Sequence, residues 1–357
     1  MGCFKKCAIK SFEFPQLTIE TIPCRAFENC VSLEKVVIPS SVTKIDNFAF
    51  CGCKNLKEVV IPESVTYIGH NCFSSCSSLE HIEMPRSVTG TGNDAFLRCT
   101  SLEEVTLSSS LEVIEVNAFH SCFSLKEIVI PPSVTIIHQK SFYECKSLTK
   151  VTIPSSVTLI CNRAFKSCLS LSEINIPSSV TIIESRAFNK CQKLKKIIIP
   201  PSITKIEECT FCGCFSLSEI SIPSLVTSIE ANAFSLCFAL EEIVIPSSVQ
   251  WIRNGAFGFC LKLEKIEIPS SVKLIGPYAF SHCTSLKHVS LSSSLTIIYE
   301  YTFDNCNLLD NVEIPQSVTC IKEYAFARCL SLKNLKMPKG ISVSENAFQG
   351  CPAFEKS

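Results

Sequence analysis

The chain has 357 residues, 33 basic against 33 acidic side chains and a formal net charge of zero. That balance leaves no electrostatic footprint for nucleic acid or an anionic membrane, so polyanion partners are not expected. The longest apolar runs, such as Ile128-Val-Ile130 and Ile197-Ile-Ile199, are strand-sized and far short of the ~20 residues a membrane-spanning helix needs.

From its first residues the chain repeats one 23-residue phrase about fifteen times. Phenylalanine stands at Phe4, Phe27, Phe50 and every 23rd position to Phe326, and Phe348 closes the series one residue early. Cysteine follows three residues after each, from Cys7 and Cys30 to Cys329 and Cys351. A period of 20 to 50 residues predicts a solenoid in which each unit buries its apolar face against its neighbours. Length alone, at ~150 residues per domain, suggests two or three domains. No linker or composition break interrupts the period, so the reading is a partial repeat over 1–26, a continuous array over 27–347 and an incomplete repeat over 348–357.

Within the unit Phe27–Ala49, the inward positions are Phe27, Cys30, Leu33, Val36, Ile38, Val42, Ile45 and Ala49. The spacing of Phe27, Cys30 and Leu33 predicts a tight turn or a single 3₁₀-like turn rather than a helix. The stretch from Leu33 to Ile38 alternates with period two and is rich in β-branched residues, which predicts a half-buried strand. Pro39 ends it because proline cannot donate to a ladder. Ser40 and Ser41 suit a turn through hydrogen bonds to nearby backbone, and Val42–Ile45 forms a second short extended piece. Parallel stacking with a rise of ~4.8 Å per coil gives a rod or arc on the order of 70 Å long.

Met1-Gly2-Cys3 resembles a dual-acylation signal, but Lys6 stands where that pattern wants Ser or Thr, and Phe4 and Cys7 keep the repeat phase. A truncated first coil is the preferred reading. In Gly90-Thr91-Gly92, threonine takes the place of the inward isoleucine, which predicts the loosest coil. Leu107-Ser108 and Leu291-Ser292 lack the terminating proline, read as neutral variation. Of 24 cysteines, 16 form the ladder as small apolar fillers with a weak S–H donor. The other eight are Cys3, Cys24, Cys51, Cys72, Cys161, Cys209, Cys212 and Cys320. Cys209-Thr-Phe-Cys212 could hold zinc or cycle redox, but no further His or Cys completes a four-ligand set nearby. The expectation is no metal and no cofactor. His70, His81, His120, His138, His282 and His288 are read as solvated, with no acid and nucleophile brought beside them, and no enzyme is expected.

A residue type repeated every 23 positions becomes a spatial stripe. The outward row of the first strand carries Glu104, Glu127, Glu173, Glu219 and Glu242 among lysines, either as a solvated charged face or as a binding face. Tyr278, Tyr301 and Tyr324 share one phase, with Tyr299 nearby, and either pack on each other or serve a partner. Phe215, Phe238 and Leu261 follow ladder cysteines, with Phe259 adjoining, and form an exposed ridge or satellite core.

The phrase L-x-E-I-x-I-P-S-S-V-T-x-I-x-x-x-A-F-x-x-C-x-S resembles the leucine-rich repeats of the BspA-like, or Treponema pallidum type, family over about residues 4 to 354. The resemblance implies a right-handed leucine-rich-repeat superhelix of short parallel strands with little α-helix. It also implies surface-associated adhesion or host interaction, and it carries no catalytic residues. Unpaired thiols and a start without a secretory h-region point instead to a reducing compartment, the cytoplasm. The function expected is a non-enzymatic scaffold for a protein partner, with end-to-end self-assembly through open ends as the alternative.

Overall fold

The typical coil folds as a three-residue strand, a proline-ended corner, a two-residue strand and a run of turns. The computed structural model describes Phe4, residues 6–14 and residues 19–354; Met1-Gly2-Cys3 and Glu355–Ser357 lie outside the described residues. Among those residues there are 29 short strands and no helix. The strand Lys35–Val37 shows why: Val36 is buried, while Lys35 and Val37 face out. Strands pair in parallel with their equivalents one period on, Lys35 with Glu58 and Val36 with Val59. Like residues therefore stack on like, and the fold is a parallel β-solenoid of 23-residue coils.

The chain falls into two compact units that divide between Ile182 and Ile183. In the first, Ser11–Phe12, Lys35–Val37 and Glu58–Val60 form one sheet, His81–Glu83 pairs with Glu104–Thr106, and Glu127–Val129 pairs with Lys150–Thr152. Its two-residue strands run as one ladder from Thr21–Ile22 to Gly90–Thr91 and a second from Val113–Ile114 to Leu159–Ile160. In the second unit, Lys196–Ile198 pairs with Glu219–Ser221, and a four-stranded sheet runs from Lys265–Glu267 to Asn334–Lys336. Between these, Glu242 makes only an isolated bridge to Lys265.

The turn region departs from a 3₁₀ piece. Successive turns close from Ala26 N–H to the Pro23 carbonyl at 3.1 Å and from Cys30 N–H to the Phe27 carbonyl at 3.0 Å. Arg25 and Asn29 lie in the left-handed region at φ 60° and 58°. That alternation directs every second amide to the next coil: Phe27 N–H donates to the Ala49 carbonyl at 2.7 Å and Asn29 N–H to the Cys51 carbonyl at 2.7 Å. A left-handed side-chain-bearing residue costs ~1–2 kcal/mol, and the cross-coil bonds offset it.

The phenylalanines stack ring on ring through the core, 5.1 Å apart at Phe27–Phe50 and 5.9 Å at Phe188–Phe211. Beside them each inward thiol donates to the carbonyl of the preceding coil's phenylalanine, as Cys53 does to Phe27 at 3.1 Å and Cys260 to Phe234 at 3.3 Å. No disulfide is present among the described residues. The sorting of thiols differs from the repeat phase at three places. Cys72 and Cys161 are off the ladder yet buried, Cys72 because it takes the small inward position before Phe73 that Ala49 and Ala95 fill in the neighbouring coils, and Cys161 because it directly follows the inward Ile160, whereas the ladder residue Cys7 is only half-buried.

Two further expectations are corrected. In several coils the second corner serine bonds the neighbouring coil and not its own turn, with Ser64 Oγ donating to the Val42 carbonyl at 2.6 Å, whereas the Ser133, Ser271 and Ser317 hydroxyls find no partner among the described residues. The proline-free corners are not neutral variation. Ser108 and Ser292 are each 1% exposed, and their hydroxyls accept from Ser110 and Ser294 N–H at 3.2 Å, which closes the corner that proline would otherwise fix.

Candidate functional site

Side chains at the first and third positions of each three-residue strand point outward, so one face of each unit is a grid of exposed residues. Glu104, Glu127 and Glu173 in the first unit and Glu219 and Glu242 in the second are all exposed on it. Their surroundings are paired. Lys35 Nζ meets Glu58 at 2.8 Å, His81 Nδ1 meets Glu104 at 3.5 Å, and Lys196 Nζ meets Glu219 at 2.7 Å. The Glu219 carboxylate raises the Lys196 ammonium above its ordinary value by hydrogen bonding and charge. Glu127 stands in backbone register with Lys150 and Glu242 with Lys265, whose ammonium pairs with Glu267.

The third strand position carries residues that the charged row hides from a sequence reading. Ile198 is 58% exposed and Val244 80%, both in the second unit, and Val129 in the first is 64% exposed. Period-two alternation was the signal that could have found them, since residues two apart share a face. Around the interrupted strand, Glu242, Val244, Lys265, Glu267, Pro269 and Ser290 line a depression of about 450 Å³. In the first unit Glu58, Glu63, His81, Glu83 and Glu104 line one of about 480 Å³.

The aromatic columns lie on the turns of the second unit. Tyr278 stacks on Tyr301 at 4.7 Å and Tyr301 on Tyr324 at 4.9 Å. All three occupy the left-handed position, at φ 60°, 57° and 58°. Tyr278 is 48% exposed, while Tyr301 and Tyr324 are half-buried. Phe215 and Phe238, both half-buried, stack at 4.7 Å, and Phe259 packs on His282 at 4.3 Å.

The histidines are not all solitary. Ser281 Oγ lies 2.8 Å from His282 Nδ1, and Asp304 Oδ2 lies 4.0 Å from the same nitrogen. The sequence reading missed this cluster, which the repeat assembles because Asp304 stands one coil beyond His282. It is not a catalytic triad: serine and aspartate compete for one imidazole nitrogen, Ser281 is 3% exposed, and both Asp304 oxygens accept from Arg328 at 2.7 Å. Its role is to anchor a buried charge. His138 Nδ1 likewise lies 3.8 Å from Cys161 Sγ. No group of three or more His, Cys, Asp or Glu among the described residues is placed to hold a metal ion, and among them no helix is long and apolar enough to cross a membrane.

The chain matches the model of the BspA type leucine rich repeat region over residues 1–126, 112–241 and 227–355. No curated protein matches it. Among solved structures it is similar to a leucine-rich repeat protein from Bacteroides ovatus, with 29% identity, TM-score 0.70 and coverage of 94% of this chain and 81% of that one. It is also similar to a leucine rich cell surface protein from Faecalibacterium prausnitzii, with 28% identity, TM-score 0.51 and coverage of 90% and 86%. A likeness to the pneumococcal vaccine antigen PcpA, at 22% identity, TM-score 0.50 and coverage of 85% and 79%, concerns the fold alone. Repeat phrase, stacked coils and family model agree, and the chain belongs to the BspA type leucine-rich-repeat family.

Proposed function

We propose that this repeat scaffold is non-enzymatic and binds a protein partner through the outward strand face of its second unit. The observation that carries the reading is the exposure of Ile198 and Val244 among the acids Glu219 and Glu242. Apolar side chains held in water and rimmed by charge are the composition of a protein interface, and here the stacked core fixes them in place before a partner arrives. The outward acids select a partner whose surface is basic at its rim and apolar at its centre. The tyrosine and phenylalanine columns serve as secondary contacts at most, because their rings already spend faces on each other.

The similarity to a leucine rich cell surface protein supports adhesion or host interaction as the setting. The many thiols outside disulfides support a reducing one, the cytoplasm. Sedimentation velocity across a wide dilution range tests the scaffold reading. A single species at every concentration supports it, whereas a coefficient that grows with concentration assigns the exposed residues to contacts between copies.

A further inference from the structure

Cys209 and Cys212 close a hydrogen-bonded turn, with the Cys212 amide donating to the Cys209 carbonyl at 3.2 Å. Such a turn holds its first and fourth Cα atoms within about 7 Å, which overlaps the span of a disulfide. Both residues are half-buried and reachable, unlike Cys214 two positions on, which is sealed in the core. The turn is also pinned from outside: Lys190 N–H and Asn189 Nδ2 donate to the Cys212 carbonyl at 2.8 and 2.9 Å.

The two thiols share the turn but sit in unlike surroundings. Cys209 Sγ lies 3.9 Å from the Glu208 carboxylate, and the neighbouring Cys209 thiol, aided by Asn189 and the charge of Lys190, holds Cys212 below the ordinary thiol value against burial and Cys214. Cys212 in turn, together with burial and Glu208, pushes Cys209 up, against the opposing charge of Arg186. Burial drives the enclosed thiols Cys214 and Cys237 well above the ordinary value. A nucleophile and a resolving thiol thus sit in one turn, each in its own environment.

We propose that Cys209 and Cys212 form a thiol–disulfide exchange site for low-molecular-weight disulfides. The Cys212 thiolate attacks one sulfur of the small disulfide, forming a mixed disulfide and releasing one small thiolate, which takes up a proton. Cys209 gives its proton to solvent and attacks the Cys212 sulfur, forming the Cys209–Cys212 bond and releasing the second small thiol. One disulfide is reduced to two thiols, and two cysteines are oxidised to one cystine. The reverse exchange restores the turn.

The test exposes the native full-length chain to oxidised glutathione at mildly alkaline pH, quenches with acid, alkylates the remaining thiols and maps peptides by mass spectrometry. The expected product is a Cys209–Cys212 disulfide, reversed by dithiothreitol. Cys209→Ser, which keeps a hydroxyl donor beside Cys212, should trap glutathione on Cys212 about tenfold faster than on the exposed Cys24. Cys212→Ser should leave Cys209 slow. The proposal is overturned if the wild-type chain carries adducts at Cys24 or Cys51 while Cys209 and Cys212 stay alkylatable, a readout that needs no variant. It is equally overturned if Cys209 reacts alone as fast as Cys212 does.

Discussion

Replacing Thr91 by valine should stabilise the first unit by about 1 kcal/mol. Thr91 is 9% exposed and stands in register with Ile68, at the last strand of its ladder. Beside it a void of about 10 Å³ is lined by Met84, Phe96, Leu107, Leu111, Ile114 and Phe119. A space of that size takes roughly one methyl group or water. Valine exchanges the hydroxyl for a methyl, and one more buried methyl is worth ~0.8 kcal/mol, with the relief of a buried hydroxyl added. Isoleucine, which fills this column in most other coils, carries one further carbon of the size the void takes, so Thr91→Ile should gain at least as much as valine. The opposite change is next door. A Cβ on Gly92 would lie 2.3 Å from the His70 amide nitrogen, where backbone cannot yield, and Gly92→Ala should cost ~2 kcal/mol. Urea midpoints of the full chain measure both, and hydrogen exchange locates them. Amides of Val88–Asp94 should exchange faster than those of Val157–Arg163 in the wild type and slow down in Thr91→Val. A valine variant of unchanged midpoint, with Val88–Asp94 already as protected as Val157–Arg163, would refute the reasoning.

Phe257 is 0% exposed and stacks at 5.3 Å on both Phe234 and Phe280, so Phe257→Ala should lower stability by ~4 kcal/mol in denaturant unfolding. Phe259→Ala, at a ring 40% exposed, should cost less than ~1 kcal/mol; equal losses would contradict the assignment of core and surface. Arg328→Ala leaves Asp304 buried without the guanidinium nitrogen that both its oxygens accept from and should cost ~2 kcal/mol, with Asp304→Asn in the same chain restoring part of it. Burial holds the His120 imidazole below its ordinary value of 6.5, so the folded state resists a proton that the unfolded chain accepts. The stability from the neutral ring is full above that pH and is lost as pH falls through 6.5 toward the folded value. His120→Gln should flatten this acid limb of the urea midpoint, and an unchanged limb would remove His120 as its source.

The inward half of every coil was legible because burial writes itself in residue type: Phe27, Cys30, Leu33 and Val36 recur, and all four are buried. The backbone of the turns was not. Left-handed positions hold Arg25, Phe48, Tyr301 and Leu236 with no shared chemistry, since the cross-coil amide bond sets the conformation and any side chain can follow. The acid column was legible as a column, but its pairing was not. A fixed period says who stands beside whom, whereas Lys196 reaching Glu219 depends on side-chain reach. The cluster of Ser281, His282, Asp304 and Arg328 escaped notice because the adjacent pair Ser281-His282, then Asp304, then Arg328 stand 22 to 24 residues apart in different columns, and only the stacked coils bring them together.

Partner capture with matched surface variants tests the scaffold claim most directly. The immobilised full chain, Glu219→Lys/Glu242→Lys, Val244→Asp and the turn variant Phe259→Ala are each exposed to lysate of the native organism, and bound proteins are quantified by mass spectrometry. The account predicts a protein retained by the wild type and by Phe259→Ala, and lost from both strand-face variants while their unfolding midpoints stay unchanged. Retention of the same proteins at the same levels by all four chains would contradict it.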